Sequence, residues 1–229
     1  LMELGQPLHA FDAAKIQGSV QVRQANTAEK LVLLNEQEVE LNEKVMVIAD
    51  DEKALAIAGI MGGLSSSVTD ETQDIFLESA FFAPLAIAGR ARSFGLHTDA
   101  SQRYERGVDF ELPMLAMHRA SQLIAELAGG EFGPITIAEQ AAVLPKREAI
   151  ELEQAQVDQL LGYRVDAAFI ADALTRLGCA VTVKAEGQWS VVPPSHRYDM
   201  AIYQDLIEEV ARIHGYDNIQ ISLPKIEAK

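Results

Sequence analysis

The amino-acid sequence predicts an α+β protein, with mixed or antiparallel sheets and few helices first and a smaller α+β domain after them. Three observations lead to this prediction. Over residues 19–82, short apolar or alternating runs are separated by polar turns, which is the pattern of half-buried strands. One long amphipathic helix is predicted, over 113–127. Residues 150–214 then repeat shorter strand and helix patterns, which indicates a second, compact unit.

The composition narrows the class of protein. The chain has 229 residues, enough for one large domain or two ordinary ones. No apolar run approaches the ~20 residues of a membrane span, and no secretory signal opens the chain. The single Cys179 fits a reducing cytoplasm. The formal net charge of −15 argues against tight, non-specific binding to phosphate backbones. We therefore expect a cytoplasmic protein without a membrane span, and its ends read as those of a piece of a longer polypeptide.

The first short motif is GQPLHAFD at Gly5–Asp12. Its glycine suits the end of a helical turn at Met2–Leu4, because glycine tolerates a positive φ. Pro7 restricts the residue before it to an extended conformation. We place the following His9 and Phe11 in a loop, where His9 is either a hydrogen-bonded loop histidine or part of a site.

The next residues are predicted as short strands with a hairpin connection at 35–38 and a polar turn at 50–53. The last strand continues into IAGIMGG, whose Gly62 and Gly63 let a ligand come close to the backbone. The spacing is not that of a phosphate-binding loop, and a turn without a ligand is the alternative. The predicted strands are Val20–Arg23, Leu31–Leu34, Val39–Leu41, Val45–Ala49 and Ala54–Ile60.

A further strand, predicted at Asp74–Ser79, carries a carboxylate inside an apolar run. Alternation puts Glu78 on the same face as Phe76. A carboxylate in such a run either points outward or is hydrogen-bonded. Glu78 therefore either accepts a hydrogen bond inside a pocket or is a strand-edge glutamate that faces water.

The stretch RARSFGLHTDASQRYERGVD, at Arg90–Asp109, has the apolar spacing of neither a helix nor a strand. We expect a loop-like segment presented by the scaffold, forming one site with the two shorter motifs. Its arginines form either a local basic strip that receives a nucleic-acid end or ordinary surface ion pairs. These arginines are Arg90, Arg92, Arg103 and Arg106.

The helix Pro113–Leu127 is the best supported in the chain, because proline stands near its start and Gly129 and Gly130 stop it. Ile135–Ala138 is predicted as a short strand. A linker at 144–147 separates the predicted domains, which are 1–146 and 147–229.

The second domain is predicted to run strand, helix, helix, strand, strand, helix, an order similar to a winged helix. Such domains often bind DNA, but the helix in the recognition position carries only Arg176 as a basic residue. The predicted elements are Ile150–Leu152, Gln154–Leu161, Ala167–Leu177, Ala180–Lys184, Trp189–Val192 and a helix from about Met200 to His214.

The last helix carries a cluster of carboxylates. Asp205, Glu208 and Glu209 are spaced i, i+3 and i+4 on one helical face, and Asp199 lies just before the helix. Four carboxylates close together repel one another unless a cation intervenes, and oxygen-only ligation suits Mg²⁺. The alternative is a solvated acidic face with Glu208 paired to Arg212.

These motifs resemble the beta subunit of bacterial phenylalanyl-tRNA synthetases. GQPLHAFD, IAGIMGG and RSFGLHTDASQRYERGVD are similar to the editing module of that family, and SHRYDM through DLIEEVARIHGYDNI is similar to the winged-helix-like domain after it. The resemblance implies an α₂β₂ ligase that attaches phenylalanine to tRNA(Phe). ATP binding and amino-acid activation belong to the alpha subunit, and this module hydrolyses tyrosine misattached to tRNA(Phe).

The resemblance also implies residue roles. It assigns catalysis to His9, Glu78 and Thr98, with Glu78 binding the tyrosine hydroxyl, Gly62 at the pocket floor, and Thr98 and Ala100 in the wall. His9 is expected to orient a water or the terminal ribose. The implied Mg²⁺ ligands are Asp199, Asp205, Glu208 and Glu209.

Three functions are compatible with the sequence. They are an editing hydrolase that contacts the 3′ end of tRNA(Phe), a fragment that only docks against the alpha subunit, and a nucleic-acid-binding module. No serine or cysteine is paired with a base in these motifs, so direct attack by water is the economical mechanism for the first.

Overall fold

The computed structural model describes residues 1–219 of the chain. It confirms the predicted α+β class, since every strand pairing among these residues is antiparallel. Contacts divide the chain into two compact units. The first is Leu1–Glu139, and the second begins at Gln140. The predicted boundary between 146 and 147 stays a prediction, and the last ten residues of the predicted second domain lie outside the described residues.

The first unit contains eight strands in three antiparallel groups. β1 pairs with β8, β3 pairs with β4, and the remaining four form a sheet in the order β2-β5-β6-β7. The strands are β1 (Leu8–Asp12), β2 (Gln21–Gln24), β3 (Lys30–Val32), β4 (Glu38–Glu40), β5 (Met46–Ala49), β6 (Ala54–Ile57), β7 (Met61–Gly62) and β8 (Ile75–Ser79).

The core of the first unit lies on β5 and β6. All four residues of β6 are buried, which explains why it reads as an unbroken apolar run rather than an alternating one. Val47, Leu55 and Ile57 are essentially inaccessible, and Ile87 and Tyr104 pack on the same cluster from the helices. The helices are α1 (Pro84–Ile87), α2 (Arg90–Ser93), α3 (Asp99–Arg106) and α4 (Leu112–Ala128).

The structure confirms some predicted elements of this unit and corrects others. The helix predicted at 113–127 is α4. The prediction of a loop at His9 and Phe11 is wrong, because both residues lie in β1. The stretch 90–109 is largely helical, and 135–138 forms no strand.

The second unit has the predicted order of strands and helices. A three-stranded antiparallel sheet in the order β10-β11-β9 carries three helices. Leu152, Trp189, Ile170 and Leu206 meet in its core. Cys179 is buried beside them. The elements are β9 (Ile150–Glu153), α5 (Gln154–Leu161), α6 (Ala167–Arg176), β10 (Ala180–Ala185), β11 (Gln188–Val192) and α7 (Tyr203–His214).

Candidate functional site

Two of the predicted site residues face each other across the strand pair β1–β8. The register sets His9 opposite Glu78 and Phe11 opposite Phe76, so all four side chains share one face of the pair. The rings of His9 and Phe11 meet edge to face with centroids 4.5 Å apart. The pairing therefore brings together residues that are 69 positions apart in the sequence.

A cavity of ≈ 70 Å³ lies beside this pair. This volume is several times the roughly 10–15 Å³ that one water molecule requires. Its wall includes His9 and Glu78 from the strand pair, Gly62 from β7, and Ala100 and Tyr104 from α3. Four predicted site residues, His9, Gly62, Glu78 and Ala100, therefore line one cavity.

Gly62 is in close contact with His9. A Cβ atom added at Gly62 would overlap the Cε1 and Nε2 atoms of the His9 imidazole. The next glycine, Gly63, is equally restricted, because its Cβ would lie 2.5 Å from the carbonyl oxygen of Leu55. Both glycines are thus required because a side chain at either position would overlap neighbouring atoms, and not only because the chain turns there.

Thr98 stands behind the cavity wall rather than in it. Its hydroxyl donates to the carbonyl of Ile60 at 2.9 Å and accepts from the Ser101 amide at 3.0 Å, which caps α3. Ile60 itself lines the cavity. Thr98 therefore holds Ile60 in the wall and starts the helix that carries Ala100. The predicted place of Thr98 in the wall is corrected to a place behind it.

Burial controls the charges in the cavity. It raises the pKa of Glu78 from its ordinary 4.5 to about 7. Burial also lowers the pKa of His9 below its ordinary 6.5, so the imidazole is neutral at pH 7. The His9 Nε2 atom is buried and has no hydrogen-bond partner among the described residues. The cavity thus offers a carboxyl group that titrates near neutrality and a ring nitrogen available to a ligand.

The cavity wall holds no serine, threonine, cysteine or lysine within the described part of the chain. The side chains that most often attack an ester carbonyl, those of serine, threonine and cysteine, are therefore not found among the described residues of this wall. It provides instead a shape, a carboxyl group, a neutral imidazole and backbone groups, which suit binding and the orientation of a water molecule.

Sequence reasoning missed two residues at this site, Gln6 and Tyr104. Gln6 is completely buried, and its amide nitrogen lies 3.2 Å from the Tyr104 hydroxyl. Burial and the nearby Glu78 both raise the pKa of Tyr104, so its hydroxyl stays protonated. Its spacing of i+4 from Ala100 is the sequence signal that could have placed Tyr104 on the cavity face of α3.

The four carboxylates of the second unit are not gathered around a common point. Asp199 and Glu209 both accept hydrogen bonds from Arg197, at 2.6 and 3.0 Å, and Glu209 also contacts Arg212. Asp205 accepts from the amides of Ala201 and Ile202 at 2.8 and 2.9 Å and so caps α7.

This arrangement does not fit the predicted Mg²⁺ site. Glu208 is exposed, and the alternative pairing of Glu208 with Arg212 is not formed, because Arg212 pairs with Glu209. Among residues 1–219, no group of three His, Cys, Asp or Glu side chains is arranged to hold a metal ion. The ligand set stays a prediction. A crystal structure grown with Mg²⁺ that leaves Arg197 on Asp199 and Glu209 would reject it.

Comparison with known proteins identifies both units. The family model of the B3/4 domain matches residues 1–129, and that of the tRNA synthetase B5 domain matches residues 150–216. The chain belongs to the B3/4 domain family. The B3/4 match contains the whole cavity, and the B5 match contains the carboxylate cluster and its arginines.

The relatives are phenylalanine–tRNA ligase beta subunits. The chain is 78% identical to the beta subunit of Acinetobacter baylyi, with all of the chain matched to 29% of the relative's length. It is 54% identical to that of Pseudomonas savastanoi pv. phaseolicola over 98% of the chain and 28% of the relative. The chain thus spans less than a third of these ligase subunits.

A solved structure is also similar, that of an N-terminal fragment of the phenylalanyl-tRNA synthetase beta subunit from Pyrococcus horikoshii. It is 17% identical, covers 91% of this chain and 60% of that one, and gives a TM-score of 0.45. None of the helices formed by residues 1–219 has the length and apolar character needed to cross a membrane.

Proposed function

We propose that this chain is the editing part of a phenylalanine–tRNA ligase beta subunit and hydrolyses tyrosine misattached to tRNA(Phe). The observation that carries the proposal is the half-buried Glu78 in the wall of a small cavity of the B3/4 unit. Tyrosine and phenylalanine differ by one hydroxyl group, and a partly desolvated carboxyl group distinguishes them. The tyrosine hydroxyl satisfies Glu78, whereas phenylalanine leaves it unpaired and desolvated.

The reaction is the addition of water to the ester that joins the amino acid to the terminal ribose. The water oxygen forms a bond to the ester carbonyl carbon, the bond from that carbon to the ribose oxygen breaks, and the ribose oxygen takes up a proton. His9 supports this step because its ring is neutral and its Nε2 atom has no partner among the described residues. We assign it the role of orienting the water or the ribose.

Glu78 provides the test of the proposed function. In the complete ligase, we expect Glu78→Ala to slow hydrolysis of Tyr-tRNA(Phe) by about 100-fold or more, since buried hydrogen-bond recognition supplies large discrimination. Aminoacylation with phenylalanine should be unchanged. Deacylation of purified Tyr-tRNA(Phe) measures the rate, and Glu186→Ala, at an exposed glutamate of the second unit, is the matched control. A Glu78→Ala ligase that clears Tyr-tRNA(Phe) as fast as the parent contradicts the proposal. The same deacylation assay on the 229-residue chain alone tests whether it edits without its partners.

The arginines of α2 and α3 support contact with the 3′ end of the tRNA. Within residues 1–219, Arg90, Arg92, Arg103 and Arg106 make no ion pair, although the chain carries a net charge of −15. The surface ion pairs that were the alternative for these side chains are therefore not formed among the described residues. Unpaired guanidinium groups on α2 and on α3, the helix that carries Ala100, suit the phosphates of an RNA end.

A double charge change tests this contact. We expect Arg103→Gln with Arg106→Gln to raise the KM for Tyr-tRNA(Phe) deacylation by roughly tenfold. The slope of log KM against log salt concentration should fall by an amount that corresponds to the loss of about two phosphate contacts. Arg164→Gln, an exposed arginine of the second unit, is the control for the change of charge. An unchanged KM over a range of KCl concentrations would remove these arginines from the RNA contact.

The remaining parts of the proposal concern the assembled enzyme. We place the alpha subunit of an α₂β₂ tetramer as the protein partner, ATP binding and activation in that subunit, Mg²⁺ in the whole enzyme, and the cytoplasm as the compartment. The mass of the complex formed with the alpha subunit checks the assembly, and a monomeric beta subunit would reject it.

A further inference from the structure

The open end of the strand pair β1–β8 is closed by two side chains rather than by backbone hydrogen bonds. The pair begins with Leu8 opposite Ser79, and the residue before Leu8 is Pro7, which has no amide hydrogen to donate. Pro7 is buried and Ala80 is partly buried at this end, so their carbonyl groups need donors. Gln6 and Tyr104 supply them.

The geometry of these contacts is specific. The Gln6 amide nitrogen donates to the Ala80 carbonyl at 2.7 Å and to the Pro7 carbonyl at 3.1 Å. The Tyr104 hydroxyl lies 3.0 Å from the same Ala80 carbonyl and 3.3 Å from that of Pro7. Gln6 is 0% exposed and Tyr104 is 3% exposed, so both sets of contacts are shielded from water. We call Gln6 and Tyr104 the strand-end clamp.

The strand-end clamp is one step from the site residues on both strands. Pro7 is two residues before His9, and Ala80 is two residues after Glu78. In an extended strand, residues two apart point to the same face, so a displacement of either strand end moves His9 or Glu78 directly. The proline prevents the usual ladder from continuing at this end, where the Ser79 hydroxyl also donates to the Pro113 carbonyl at 2.8 Å.

Tyr104 also connects the clamp to the other walls of the cavity. Its ring lines the cavity one helical turn after Ala100 and packs edge to face on Phe82, with centroids 5.1 Å apart. Gly59 has a φ of +68°, and a Cβ there would lie 3.0 Å from the Tyr104 ring. The Tyr104 side chain thus connects α3, to which it belongs, with the end of the strand pair and with the loop before β7.

We infer that Gln6 and Tyr104 are positioning residues that set the distance between Glu78 and the wall formed by α3, and thereby the selectivity of the cavity for a tyrosyl group. The inference rests on the proposed function for its substrate. Neither residue takes part in the hydrolysis itself. The hydroxyl of Tyr104 and the amide of Gln6 act through the carbonyl groups that they hold.

The test uses Tyr104→Phe, which removes one oxygen atom and keeps the ring in the cavity wall. In the complete ligase, we expect the ratio of the Tyr-tRNA(Phe) and Phe-tRNA(Phe) deacylation rates to fall about 10- to 100-fold, because displacements of about 1 Å at a site have effects of this size. In the 229-residue chain, the midpoint of the Glu78 carboxyl titration, followed by ¹³C NMR, should move by about one pH unit toward its unfolded value as water reaches the loosened site. Tyr163→Phe is the matched control, since it removes a hydroxyl that lies 3.2 Å from His214 in the second unit.

The outcomes separate this inference from the proposed function. A Tyr104→Phe ligase with an unchanged rate ratio and an unchanged Glu78 midpoint overturns the inference while the function stands. A parent ligase that does not deacylate Tyr-tRNA(Phe) overturns the function, and the NMR midpoint alone then decides the inference. Should Tyr104→Phe fail to fold, Gln6→Met, which removes the amide donor at nearly constant size, is measured in the same two assays and judged by the same results.

Discussion

Raising the pH from about 5 to 8 is expected to destabilise the first unit through Glu78, by about 2.5 kcal/mol in the free energy of unfolding. In the folded chain, burial holds the pKa of this carboxyl at about 7, against an ordinary value of 4.5. Between these two values the folded state binds the proton more tightly than the unfolded state does. The contribution of Glu78 is therefore fully present below pH 4.5 and is lost as the pH rises through about 7.

The variant Glu78→Gln isolates this effect, because glutamine is neutral at every pH and has nearly the same shape. Urea unfolding of both chains at pH 5 and pH 8 gives the two differences in free energy. The lowered pKa of His9 acts in the opposite direction, with stability gained as the pH rises toward 6.5, and it is common to both chains. We expect Glu78→Gln to be the more stable chain at pH 8. Parallel pH profiles would show that Glu78 is not desolvated.

Local sequence patterns predicted the elements that are stabilised locally. The helix α4 carries proline at its start and glycine at its end, and these signals gave its bounds to within a residue. In the second unit, Asp166 caps α6 through its carboxylate, and Gly162 ends α5, which are local signals of the same kind. These signals depend on neighbours within a few positions and do not require knowledge of the fold.

The errors occur where distant residues decide the structure. His9 and Phe11 form a strand only because β8 pairs with them across more than 60 intervening residues. The alternating Ile135 and Ile137 have no such partner and are 43% and 63% exposed, so no strand forms there. The helix α3 escaped prediction because its inner face is built from Ala100, Ser101 and Tyr104, and not from a stripe of aliphatic residues.

The site was predicted only in part, because motifs show residues within one stretch and not their partners elsewhere in the chain. His9, Gly62, Glu78 and Ala100 came from motifs, and the structure places all four in one cavity wall. Gln6 gave no signal of its own, because it bonds to backbone carbonyl groups, which every sequence contains, and Tyr104 gave only its i+4 spacing from Ala100. Arg197 pairs with Asp199, two residues away, and with Glu209, twelve residues away, so the second pairing could not be read from local spacing.

Replacing Gly62 by alanine is expected to remove the editing activity almost completely. The added methyl group would occupy the position of the His9 imidazole, so the ring must leave its place against β7 or the strand must move away. Because His9 and Glu78 are opposite each other in β1–β8, either movement alters the cavity on two sides. We expect deacylation of Tyr-tRNA(Phe) by the complete ligase to fall at least about 100-fold, with an overpacking cost of about 1–3 kcal/mol in stability.

Gly133→Ala is the matched control for this substitution. A Cβ at Gly133 meets no atom within 4 Å, and its φ lies outside the left-handed region, so the same added methyl group should change neither the deacylation rate nor the stability. The double variant Gly62→Ala with His9→Ala sharpens the test. Removing the imidazole relieves the overlap, so the stability cost of the alanine should largely disappear while the deacylation rate stays low, because the site then lacks the ring that orients the water. A Gly62→Ala ligase with parental editing would mean that the His9 ring is free to move and that its position against Gly62 has no part in the reaction.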